Sequence, residues 1–95
     1  METTTPDLTY EVATLLREAG KAHHEAFIEA DGVDEDWPLW YAEHLKDDLR
    51  RLLNAKFTKS ELVYMLVTAD KEMALLAPGA DWPTFWAKLF VERYT

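Results

Sequence analysis

The sequence predicts an all-α domain, a compact arrangement of four helices resembling a bundle. Three observations point to it. Breakers are few and clustered: three glycines and four prolines, most of them around Gly32 and Pro38 or at Pro78-Gly79 and Pro83. Between those clusters apolar residues recur at steps of three and four, and no segment sustains the period-two alternation of a strand. The connections between the periodic segments are short, which favours antiparallel neighbours. With 95 residues, 48% of them hydrophobic, the chain is one domain's length and too apolar to stay unfolded. Residues 1–5 read as a flexible tail and 6–95 as a single helical domain.

The first segment opens at Thr5-Pro6, a capping threonine followed by a proline at the first helical position. Leu8, Val12, Leu15, Leu16, Ala19, His23, Ala26, Phe27 and Ala30 then mark one stripe, so a single helix of about 6–30 is expected, with Gly32 as its stop. At about 1.5 Å per residue it would run near 37 Å and outreach the last helix by about 12 residues. Gly20 lies inside the stripe as the natural place for a kink. The second helix, about 37–54, starts at Asp36-Trp37-Pro38 with Asp36 as cap and carries Trp37, Tyr41, Leu45, Leu49 and Leu52. The third, about 59–76, opens on Thr58-Lys59-Ser60-Glu61, a capping box, and its wide apolar face predicts the most buried helix of the four. The fourth, about 82–94, begins at Asp81-Trp82-Pro83 and turns Trp82, Phe85, Trp86, Leu89 and Phe90 inward.

One phrase occurs twice. Asp36-Trp37-Pro38-Leu39-Trp40-Tyr41-Ala42 and Asp81-Trp82-Pro83-Thr84-Phe85-Trp86-Ala87 share Asp-Trp-Pro, any residue, two aromatics and alanine, offset by 45 residues. Each copy opens the second helix of a hairpin, which suggests two related hairpins. The plain reading is a device for starting helices. The functional reading is that the two corners flank an aromatic-lined pocket, since pockets form between bundle helices.

Composition excludes several function classes. A net charge of −8 offers no basic footprint for a nucleic-acid backbone. The opening Met-Glu-Thr-Thr-Thr-Pro-Asp has neither the basic start nor the apolar core of a secretory leader, and no apolar run has the length of a membrane span, so a soluble cytoplasmic protein is expected. The absence of cysteine removes disulfides, thiolate metal sites and a cysteine nucleophile. The charge is uneven: residues 1–48 hold 13 acids and 3 bases, residues 49–95 hold 5 acids and 7 bases. Arg50, Arg51, Lys56 and Lys59 gather at the turn between helices two and three, so an acidic end and a basic end are available for self-association or for steering a basic partner. The abundance of Trp, Tyr and Phe adds material for a contact surface.

Groups able to carry chemistry are few. His23 lies on the first helix's stripe, His24 beside it, and His44 one turn before Asp48. If the first two helices are antiparallel, these meet, and His23, His24, His44 and Asp48 form a candidate metal or proton-transfer cluster. The Glu-x-x-His pairs of di-metal bundles and the His-Glu-x-x-His motif are both missing. The acidic run Asp31 to Asp36 lacks the ligand alternation of a calcium loop and suits the start of a helix better. Ser60, the one serine, belongs to a cap, and no phosphate-cradling glycine loop exists, so no catalytic residue is assigned and no cofactor is expected. Acid–base work would fall to the histidines with Glu25, Glu43 or Asp48, with Tyr41 and Tyr64 orienting a substrate.

The reading that follows is a small acidic helical binding module, acting on a protein partner or on a second copy of itself as a homodimer, with no direct nucleic acid and no membrane. The alternative is a small-ligand or metal pocket between helices one and two, with His23, Phe27, Trp37, Trp40, Tyr41 and His44 as its lining. An acidic decoy for a basic groove ranks below both.

Overall fold

A computed structural model describes residues 7–28 and 34–95. It contains four helices: α1 (Leu8–Ala26), α2 (Trp37–Leu53), α3 (Lys59–Leu76) and α4 (Trp82–Tyr94). Each helix packs on its sequence neighbours, and α1 closes the ring by packing on α4. The helices run up, down, up and down. The starts of α2 and α4 meet at one end, where Trp37 stacks on Trp86, and the late residues His23 of α1 and Met73 of α3 line the same recess. The core is apolar and closed, with Val12, Leu16, Leu45, Leu49, Leu62, Leu66 and Phe90 fully buried. An all-α domain of four helices is thus what the stripes build.

The last three helices begin and end within a residue of their expected bounds because their signals are local. Thr58 Oγ1 accepts from the Glu61 amide and Glu61 Oε1 from the Thr58 amide, so the capping box forms in both directions. Asn54 ends α2 in the left-handed region at φ 50°, which asparagine tolerates better than most residues.

The first helix differs from its expectation. It starts at Leu8 with Asp7 as cap, whose carboxylate accepts from the Thr9 amide, instead of starting at Thr5-Pro6. It ends at Ala26, where the Phe27 amide turns back onto His23 and His24, rather than near 30. Its 19 residues exceed the 13 of α4 by far less than the 12 expected. The tail at 1–5, Ala30 and the Gly32 stop lie outside the described residues. Gly20 has a packing purpose. A Cβ there would lie 2.8 Å from Trp82 Cζ2, so the missing side chain lets an indole edge rest on the α1 backbone.

Helix α3 is not the most buried. Its Tyr64, Leu75 and Leu76 stand exposed, because the neighbouring helices α2 and α4 cover only the stripe through Leu62, Met65, Leu66 and Ala69. The basic turn is also answered internally: Arg50 pairs with Asp47, Arg51 with Asp48 and Lys59 with Glu43. Arg50 Nε further donates to the Phe57 carbonyl and lies over that ring.

Candidate functional site

The two Asp-Trp-Pro corners come together at the end of the bundle where α2 and α4 begin. Both corners place Trp at the first helical position and Pro at the second, where its missing N–H costs the helix nothing. Neither aspartate caps its helix with its side chain, contrary to the expectation for Asp36. The backbones differ too: Asp81 is extended at ψ 110° and Asp36 is turned at ψ 29°. The reason lies in what each carboxylate and its neighbours do. At the first corner Asp34 accepts from the Asp36 amide through Oδ1, forming a turn that delivers the chain into α2. At the second, Asp81 reaches sideways to α1, where Arg17 binds both of its oxygens at 3.0 and 3.2 Å, and Thr84 donates to it from within α4. These donors pull the Asp81 carboxyl down to about 2.

Between the corners lies a recess of about 320 Å³ to which all four helices contribute. Trp37 and Tyr41 come from α2, Trp82 and Trp86 from α4, Asp70 and Met73 from α3, and His23 from α1 beside Asp34. The rings stand at steep angles: Tyr41 meets Trp37, Trp82 and Trp86 at 76° to 79° with centroids 6.0 to 6.3 Å apart. Trp86 is 5% exposed, and its Nε1–H has no acceptor among the described residues. Burial raises the pKa of the Tyr41 hydroxyl. Among the described residues no Lys or Arg lines the recess, and its carboxylates are those of Asp34 and Asp70.

Among the described residues His23 is the buried polar side chain. Its Nε2 lies 3.2 Å from Asp34 Oδ2, and its ring is enclosed by Phe27, Trp40 and Tyr41 with centroids 4.7, 5.0 and 5.1 Å away. The Asp34 carboxylate therefore bridges the α2 entry and the end of α1, one oxygen on each.

All six residues expected to line a ligand pocket belong to one aromatic network. Trp40 joins His23 to His44, whose ring stacks on it at 4.8 Å. Only three of the six, His23, Trp37 and Tyr41, reach the recess, and Phe27, Trp40 and His44 form the layer around them. The candidate metal set is dispersed. Trp40 touches both His23 and His44, His24 is exposed beside a second recess next to Arg17 and Asp81, and Asp48 is engaged with Arg51. No group of three or more His, Asp or Glu placed to hold a metal ion occurs among the described residues.

Sequence reasoning missed Asp34, Asp70 and Met73 as lining residues. Nothing local marks Asp70 or Met73, since a polar and an apolar position on α3 gain meaning only from what faces them. Trp82 and Trp86 were signalled by the repeated phrase. Among the described residues no helix is long and apolar enough to cross a membrane. Two other recesses, of about 460 and 640 Å³, are larger and lie along α1 and α4; the first is walled by Arg17 and Asp81, already paired to one another, and the second by Arg17, Glu18, Lys21 and Lys88. Comparison with known proteins finds no family model, no curated protein and no solved structure that matches this chain.

Proposed function

We propose that the protein works by binding, and that the recess between the two Asp-Trp-Pro corners is where it binds. The observation that carries this reading is the meeting of both corners and all four helices on one recess lined by Trp37, Tyr41, Trp82 and Trp86. Trp86, one of the lining residues, also keeps a buried Nε1–H without an acceptor among the described residues, which costs about 1–3 kcal/mol. The volume of about 320 Å³ is at the small end of ligand pockets, which suits a small molecule or one side chain of a partner.

Three of the four tryptophans line the recess, so binding must register in their signals. The test is a titration of the chain with a diverse fragment library, followed by tryptophan fluorescence and by the indole N–H resonances. A ligand that shifts the Trp37, Trp82 and Trp86 resonances together is the expected result. Silence of all three across the library refutes the reading.

A second reading, self-association, is favoured by one observation: Leu75 and Leu76 near the end of α3 are 83% and 74% exposed, with Tyr64 also exposed on that helix. Light scattering at rising concentration tests it, and a strict monomer at high concentration excludes the homodimer.

A further inference from the structure

We propose that the recess takes the head of an organic cation, a substituted ammonium group carried by a small amine or by a methylated lysine of a partner, held by the indoles of Trp37 and Trp82 and by the charges of Asp34 and Asp70. The inference rests on the binding reading above and assigns the chemistry of what binds.

Charge supplies the first argument. Among the described residues the recess carries two carboxylates and no Lys or Arg, and its one histidine, His23, faces Asp34. Asp34 already accepts from His23 and from the Asp36 amide, so it is held in place. Asp70 is exposed and has no hydrogen-bond or ion-pair partner among the described residues, which leaves its charge to the recess. The chain as a whole has the same sign, with a net charge of −8 that raises the local concentration of cations.

The second argument is the wall. An indole is the best of the aromatic rings for a cation, because the negative face of its π-system attracts charge without demanding a hydrogen bond. Trp82 and Trp86 lie 4.7 Å apart at 62°, and Trp37 stacks on Trp86, so the three indoles form one continuous wall of the recess. Rings do not coordinate hard divalent ions, and among the described residues no three His, Asp or Glu side chains converge to hold one, so a soft, bulky cation suits the site better than a metal ion. A substituted ammonium is weakly hydrated for its charge and gains from apolar contact on its alkyl groups, among them Met73.

The probes are choline, its neutral carbon analogue 3,3-dimethylbutan-1-ol, and a peptide bearing one trimethyllysine, each titrated into the full chain by calorimetry and tryptophan fluorescence. The expected result is that at least one of the two cations binds about tenfold tighter than the neutral analogue, the amount one good cation–ring contact supplies. Asp70→Asn, an isosteric change at an exposed and unpartnered position, then weakens the cation about fivefold and leaves the neutral analogue unchanged. Preference for choline over the peptide assigns the guest to small molecules, and the reverse assigns it to a partner protein; either supports the inference. Equal binding of the neutral analogue overturns it while the binding reading stands. Failure of both cations to bind at millimolar concentration also overturns it, and the fragment titration then decides the binding reading separately. Cation binding that moves no tryptophan signal and ignores Asp70→Asn places the cation elsewhere and overturns it too.

Discussion

Replacing Gly20 with alanine sets two known effects against each other. In a solvent-facing helix the change stabilises by up to about 1 kcal/mol, because alanine is the best helix former and glycine among the worst. Here the new Cβ would lie 2.8 Å from Trp82 Cζ2 and 3.3 Å from Cη2. Carbon atoms rest at about 3.5 Å or more, so the indole must retreat by roughly 0.7 Å. Overpacking of this kind costs about 1–3 kcal/mol. Trp82 cannot swing freely, since it also packs on Tyr41 and Trp86. The packing effect therefore wins, and Gly20→Ala is expected to destabilise by about 1 kcal/mol, a fall in Tm of about 4–8 °C for a domain of this size. In a Trp82→Ala background the obstacle is gone and the same change should stabilise by up to about 1 kcal/mol. The coupling between the two positions is then about 2 kcal/mol, well above the ~0.5 kcal/mol scatter of independent sites. Urea unfolding of the four proteins, followed by circular dichroism, measures it. If Gly20→Ala alone stabilises the protein, or if the two changes add, the close approach of Trp82 is not the reason for this glycine.

Two further outcomes follow from the same contacts. Arg17 and Thr84 depress the Asp81 carboxyl from its ordinary 3.8 to about 2, so its contribution is complete above about pH 4 and fades as pH falls toward 2. The stability difference between the wild type and Asp81→Asn, read as urea midpoints, should shrink over that interval and also with added salt; a difference independent of pH refutes it. Leu66 is fully buried, whereas Leu75 on the same helix is 83% exposed. Leu66→Ala should cost about 2–5 kcal/mol and Leu75→Ala no more than about 0.5 kcal/mol, and similar costs at the two positions would contradict the assigned face of α3.

Much of the architecture was legible along the chain, because the determinants are local. The capping box at Thr58 and Glu61 and the prolines at Pro38 and Pro83 act within one turn of the backbone they start. The first helix begins later than Thr5-Pro6 suggests, because the Asp7 carboxylate takes the Thr9 amide and so caps at Leu8. The burial of α3 was misjudged for a different reason: periodicity counts apolar residues but does not say how many neighbours arrive to cover them. Tyr64, Leu75 and Leu76 satisfy the pattern and meet solvent.

The candidate site divides in the same way. From residue order alone came the two aromatic corners and the grouping of His23, Phe27, Trp37, Trp40, Tyr41 and His44, since α1 and α2 follow one another in the chain and pack together. Only the tertiary structure could set Trp37 against Trp86, bring Asp70 and Met73 from α3 to the recess, and rest Trp82 on Gly20. These residues are far apart in the chain, and no local preference encodes their distance; it is the closure of the ring, with α4 packed back on α1, that brings them together. A sequence carries the periodicity that makes a helix because hydrogen bonds and side chains three and four residues apart enforce it. It carries the shape of a recess only through the packing of every helix at once.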